Sequence, residues 1–240
     1  MSIYLGGTKI GQMYLGSTAI AEAYLGGTKV FGANVAPSSR LPSGYTEVEY
    51  IANTNNSLIR IGFYMNPRYS IHVKFGQDAV NRAFVCATNT SYSPYFYSYY
   101  DSSHDVFNLN VGRNGSSLVT KAIYSPLDTA VHEVDYVCDT LSTQKYYHNG
   151  VQVATSGYDM SSANNDTLPY ALFARNKGSS SSDYFYKGRI YEFWVKDVDG
   201  TMLVELVPCV RDSDSKPGFY DIVRDAFYSG GANIVAGPEV

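Results

Sequence analysis

Charge is scarce in this chain: Asp, Glu, Lys and Arg make up 17% of 240 residues, and the net charge is −4. That balance excludes a protein built mainly to bind nucleic acid or an anionic membrane surface. Tryptophan occurs once and cysteine three times, at Cys86, Cys138 and Cys209. The cysteine count is odd, the spacings are wide and each residue sits in or beside an apolar run. A disulfide framework and a zinc knuckle are both excluded, and buried, reduced thiols suited to a reducing cytosol are expected. No basic stretch followed by a continuous apolar run opens the chain, so no secretory signal is expected. No apolar run approaches the length of a membrane span. No long amphipathic helical pattern is found either.

Tyrosine is what the chain has in excess, 23 residues beside 21 glycines. With few charges and many Gly, Ser and Asn, that profile suits an all-β protein with many turns. The most regular feature is a ten-residue period near the start. It reads Ile3-Tyr4-Leu5-Gly6-Gly7-Thr8-Lys9-Ile10, then Met13-Tyr14-Leu15-Gly16-Ser17-Thr18-Ala19-Ile20, then Ala23-Tyr24-Leu25-Gly26-Gly27-Thr28-Lys29-Val30. A fixed period marks copies of one structural unit. Gly-Gly and Gly-Ser supply the positive φ angles of two-residue hairpin turns. With the first turn at Gly6-Gly7, Leu5 faces Thr8. Alternation puts Ile3, Leu5, Ile10, Met13, Leu15, Ile20, Leu25 and Val30 on one face and Tyr4, Tyr14 and Tyr24 on the other. Strands so short seldom stand alone. The arm therefore docks onto something: copies of itself about a symmetry axis, a larger assembly, or the downstream part of its own chain. Tyr4, Leu5, Tyr14, Leu15, Tyr24 and Leu25 are the expected assembly residues.

Gly, Pro and Ser cluster between the arm and Gly44, which marks a linker. The expected organisation is an arm over 1–32, a linker over 33–44 and one domain over 45–240. Residues 1–40 carry Lys9, Lys29 and Arg40 against Glu22, a net +2, which leaves −6 for the rest. From Tyr45 onward about a dozen short strands alternate with polar turns. Asn149-Gly150 is the strongest hairpin signal. This pattern predicts a two-sheet antiparallel jelly-roll sandwich, preceded by a short repetitive β-meander arm. Gly178–Ser182 reads as a loop tip.

Several blocks of residues 41–240 match one family together. They are Leu41-Pro42-Ser43-Gly44-Tyr45-Thr46-Glu47-Val48-Glu49-Tyr50-Ile51, the run from His132 to Val137, and the hairpin from Tyr146 through Asn149-Gly150 to Val153. Later come Tyr186 to Phe193, Leu206 to Cys209, Gly218 to Asp221, Phe227-Tyr228 and Ala236-Gly237-Pro238. In this order they resemble a concanavalin A-like (laminin-G-like) jelly-roll domain common in bacteriophage and prophage structural proteins. The Tyr-Leu-Gly-[Gly/Ser]-Thr arm likewise resembles N-terminal segments of phage tail and fibre proteins. Asn53–Ser57 departs from the more regular Ser-Thr-Gly-Thr-Gln of that family. The resemblance implies a virion protein, assembled in the bacterial host cytoplasm. Its arm would contact other virion proteins or form a homotrimer, and its jelly roll would meet host-surface glycan or serve as decoration of a capsid or head fibre.

Enzymatic relatives of this fold are glycan hydrolases that use Glu-x-Asp followed by a second Glu, the carboxylates roughly 5–5.5 Å apart. Glu133-Val134-Asp135 matches the first part, but Cys138 and Asp139 stand where the second Glu belongs. A thiol cannot act as the proton-donating carboxylic acid, so catalysis is not expected. His132 beside Glu133 and Asp135 reads as a strand-edge charge patch rather than a metal site. No dense acidic loop invites calcium, and no metal or cofactor is expected. The expected ligand surface is the aromatic run: Tyr92, Tyr95, Tyr97, Tyr99, Asp101 and His104. Tyrosine stacks on sugar faces and also hydrogen-bonds. Alternation sets Tyr95, Tyr97 and Tyr99 on one face and Phe96, Ser98 and Tyr100 on the other, one set being core. Loops Asn53–Asn56, Asn89–Ser91 and Asn164–Asp166 are further candidates.

Overall fold

The computed structural model describes residues 40–78, 83–88, 94–100, 105–113, 117–163, 165–178 and 182–240, together with six short strands between residues 4 and 31. Met1–Ser39 and Arg40–Val240 form two compact units. In the first, each ten-residue repeat makes one antiparallel hairpin: Tyr4–Leu5 with Thr8–Lys9, Met13–Leu15 with Thr18–Ile20, and Ala23–Leu25 with Thr28–Phe31. Leu5, Leu15 and Leu25 are the partners of Thr8, Thr18 and Thr28, so the register repeats with the sequence. Each hairpin is its own two-stranded sheet. Gly178 is described with φ +97°, and Ser179 to Ser181 of the expected loop tip lie outside the described residues.

The second unit is all-β, with no helix among the described residues. Its larger sheet has eleven strands. Across it run Val151–Ser156, Thr143–His148, Val131–Thr140, Ser70–Gln77, Gly188–Lys196, Met202–Arg211, Lys216–Asp221 and Ala226–Ser229. Tyr45–Glu47 pairs with Met202–Arg211, and Ile51–Asn53 lies between Gly188–Lys196 and Ile234–Ala236. The smaller sheet runs Ser117–Tyr124, Asp105–Arg113, Pro94–Tyr100, Ala83–Thr88, Ala171–Leu172 and Ile59–Arg60. All pairings are antiparallel except that of Ala83–Thr88 with Arg175–Asn176.

Alternation builds the core between the sheets. Ile71, Val73 and Phe75 come from one sheet and Phe107, Leu109 and Val111 from the other, all fully buried. Phe75 and Phe107 stack across the interface with ring centroids 4.8 Å apart. Each such side chain contributes roughly 1.5–3 kcal/mol through burial. Part of the tyrosine excess is structural, for Tyr136, Tyr146, Tyr170 and Tyr186 are also core. Tyr136 donates to the Pro67 carbonyl at 2.6 Å, and the Tyr146 and Ser156 hydroxyls lie 3.0 Å apart. At the Asn149-Gly150 turn both φ angles are positive, 48° and 75°, as a two-residue hairpin between His148 and Val151 requires. The three cysteines are buried and form no disulfide, and burial pushes the Cys138 thiol up to about 11 and the Cys209 thiol up to about 12.

The expected strand Tyr45–Ile51 is two strands, broken where Val48 forms an isolated bridge with Glu239. Lys216–Asp221 was not expected as a strand; Pro217 and Gly218 mask its pattern, yet it pairs along six residues of Met202–Arg211. His132 is not at a sheet edge, because Val131–Thr140 is paired on both sides. Its side chain is buried on the face opposite Glu133 and Asp135, as alternation demands.

Candidate ligand-binding cleft

The outer face of the larger sheet carries a second, small apolar cluster. Leu41, Val207, Cys209 and Tyr220 are buried there, with Tyr45, Ile222 and Phe227 packed around them. Strand alternation explains it: Val204 and Leu206 point into the main core, so Val207 and Cys209 point out and are capped by the chain from Leu41 to Tyr45. Where this cap ends, a cleft of about 510 Å³ opens. Its aromatic wall is Trp194 and Tyr191, its acidic groups are Glu47, Glu49, Glu192 and Glu205, and its cations are Arg40 and Lys74.

Strand pairing brings these residues together. Lys74 is the partner of Glu192, His72 of Trp194, and Trp194 in turn of Glu205. The register shifts between Lys74 and Phe75, which leaves Tyr191 as an extra residue opposite them. That bulge lets the successive residues Tyr191 and Glu192 both reach the cleft.

Ion pairs tie the walls. Arg40 spans Glu47 at 3.3 Å and Glu205 at 3.2 Å. Lys74 spans Glu192 at 3.0 Å and Glu133 at 3.3 Å, and its hydrogen bond to Glu192 is the main cause that holds its ammonium above the usual value. His72 stacks on Trp194, centroids 5.1 Å apart and planes 4° from parallel. Its Nδ1 meets Asp135 at 2.8 Å, while the buried Nε2 has no hydrogen-bond partner among the described residues and lies 3.9 Å from Glu192 Oε2. Lys196 Nζ lies 4.6 Å from the Trp194 ring centroid, a cation–π contact. Glu133 and Asp135, the carboxylates of the partial hydrolase pattern, are thus held by Lys74 and His72. Among the described residues no group of three His, Cys, Asp or Glu side chains is placed to hold a metal.

The tyrosine strand lies in the other sheet. Tyr92, Asp101 and His104 lie outside the described residues. In Pro94–Tyr100, Phe96 and Ser98 are register partners of the core residues Leu109 and Phe107. Tyr95 and Tyr97 are partners of Asn110 and Asn108, and Tyr99 of Val106, positions on the face away from the core. Asn108 and Asn110 are nevertheless buried, 6% and 1% exposed. Thr120 donates its hydroxyl to Asn110 Oδ1, and Asn110 Nδ2 has no partner among the described residues. Of the loop candidates, Asn53 is buried and donates to the Tyr186 carbonyl at 2.8 Å, so it is a structural residue rather than a ligand contact. Asp166 is buried too, and Asn89–Ser91 and Asn164 lie outside the described residues.

The cleft was not read from the sequence. Its residues come from positions 40 to 240, and the one available signal was the lone Trp194 in a chain otherwise dominated by tyrosine.

No family model and no curated protein matches this sequence. Among solved structures, a candidate carbohydrate-binding protein from Bacteroides ovatus aligns at TM-score 0.56 and 11% identity, over 80% of this chain and 60% of that one. A native heptameric SAP-like pentraxin from Limulus polyphemus aligns at TM-score 0.54 and 12% identity, over 81% of this chain and 96% of that one. Domains LG4-5 of the mouse laminin α1 chain align at TM-score 0.39, too low to carry weight. The chain therefore spans less than two thirds of the Bacteroides protein. At these identities the likeness shows the fold alone, an antiparallel jelly-roll sandwich.

Proposed function

We propose that the chain is a non-enzymatic bacteriophage virion protein of the tail or fibre type. Its arm over residues 1–32 anchors or trimerises it, and its jelly roll binds host-surface glycan. The observation that carries the glycan role is the cleft itself: a half-buried Trp194 beside Tyr191, flanked by carboxylates and cations held rigidly by ion pairs. Sugars bind through their C–H faces on aromatic rings and through hydroxyl hydrogen bonds to such charged groups. The solved relative described as a candidate carbohydrate binder shares the fold and agrees with this role. The repeated hairpins and the resemblance of the arm to tail-protein segments support the virion role. Several weak sites on one particle would add up through avidity.

The test is a glycan array probed with the full-length protein and with Trp194→Ala, both checked for the same thermal melt. Binding that is lost in the variant is the expected result. A full-length protein silent on every glycan would instead favour a decoration of the capsid or head fibre. The tyrosine strand Pro94–Tyr100 is a second reading, favoured by the buried Asn110 amide of the neighbouring strand, which has no partner among the described residues. Binding that survives Trp194→Ala and falls in Tyr97→Ala would point there.

A further inference from the structure

We infer that the cleft takes a glycan bearing a free amine, a de-N-acetylated amino sugar, with the ammonium held among the carboxylates and the ring face on Trp194. This rests on the glycan-binding role proposed above and narrows it to one charge class. The bonds still open in the cleft decide the sign of that charge. Arg40 bridges Glu47 Oε1 and Glu205 Oε1, and Lys74 places its charge between Glu192 Oε1 and Glu133 Oε1. Each cation is already shared between two carboxylates, and the lining holds four carboxylates, Glu47, Glu49, Glu192 and Glu205, against the two cations Arg40 and Lys74, so the cleft favours a cationic over an anionic sugar. Acceptors remain in surplus: the second oxygens of Glu47, Glu192 and Glu205, and Glu49, which joins no ion pair among the described residues.

Two further features point to a ligand rather than a mere acidic patch. Trp194 already holds one ammonium, that of Lys196, at 4.6 Å, so its electron-rich ring favours cations. His72 is 7% exposed, and its Nε2 lies 3.9 Å from Glu192 Oε2 with no hydrogen-bond partner among the described residues. A buried polar nitrogen left unpaired is costly, and a ligand hydroxyl bridging His72 Nε2 and Glu192 Oε2 from the side of the cleft would satisfy it. Ammonium, pyranose face and hydroxyl together are the chemistry of an amino sugar, whereas a lysine side chain offers only the first.

The experiment is titration calorimetry of the full-length protein with three probes: a glucosamine hexamer, an N-acetylglucosamine hexamer and a hexalysine peptide. The buffer is kept below the pKa of the sugar amine, at low and at raised salt. The glucosamine hexamer is expected to bind about tenfold tighter than its acetylated counterpart, and more weakly as salt rises. Glu49→Gln, which breaks no ion pair, should weaken it about two- to fivefold with an unchanged thermal melt. Equal binding of the two hexamers would overturn the inference and leave the glycan role standing. Hexalysine binding as tightly as the glucosamine hexamer, and surviving Trp194→Ala, would overturn it in favour of a basic protein partner. If neither of these hexamers nor any sugar on the array binds, the glycan role falls with it.

Discussion

Acidification should loosen one end of the sandwich, and His148→Gln should remove the effect. His132 Nδ1 and His148 Nε2 lie 2.9 Å apart, and His132 Nε2 meets Asp128 at 2.7 Å. Tyr124 of the smaller sheet stacks on both rings, at 4.2 and 4.5 Å. A proton shared between the two nitrogens satisfies the pair, and a further proton on His148 would add positive charge beside a second imidazole whose centroid lies 5.1 Å away. Burial first, and His132 second, push the pKa of His148 below its ordinary 6.5, while Asp128 opposes them. Asp128 is itself held below its ordinary 3.8, chiefly by the His132 hydrogen bond, so it titrates at lower pH; burial keeps the Tyr124 phenol protonated throughout.

The sign follows from which state takes the proton. The unfolded chain accepts it near 6.5 and the folded chain resists, so the contribution is complete above 6.5 and is lost as the pH falls toward the folded value. The limiting slope is about 1.4 kcal/mol per pH unit, and half of it is a fair share for a partly exposed ring. As the pH falls below 6.5 the wild type should lose stability faster than His148→Gln, by up to about 0.7 kcal/mol per pH unit until the folded value is reached. Urea unfolding of both proteins at a series of pH values measures this directly. Curves of stability against pH that run parallel would refute the reasoning.

Three other perturbations test the fold and its division. Gly218→Ala would drive a Cβ onto the Tyr228 carbonyl oxygen and the Phe227 ring, which should cost about 2–3 kcal/mol; an unchanged melting temperature would contradict the tight approach of those strands. Tyr136→Phe leaves the Pro67 carbonyl without its buried donor and should cost about 1–2 kcal/mol in urea unfolding, a loss that would be absent if water replaced the hydroxyl. A chain starting at Arg40 retains both apolar clusters and should fold as a monomer, whereas light scattering of the full chain should report a trimer. Trimers of both would move the interface into the jelly roll.

What the sequence determined by itself is local. Period-two alternation in Val131–Thr140, the Asn-Gly turn and the ten-residue repeat each encode backbone geometry within a few residues. They were enough for the all-β class, the hairpins of the arm and the pairing of Leu5 with Thr8. Alternation also divides the tyrosine strand into two sets, but which set faces the core depends on Leu109 and Phe107 in the next strand. The cleft belongs wholly to tertiary structure. Lys74 meets Glu192 only because Ser70–Gln77 and Gly188–Lys196 are neighbours, and Arg40 meets Glu205 across a separation of 165 residues. Glu47 and Glu49 read as ordinary strand carboxylates until the cap from Leu41 to Tyr45 sets them beside Trp194. A residue's own neighbours specify its strand and its face, whereas strand order is chosen by burial summed over the whole sandwich, and only that order decides which faces share a wall.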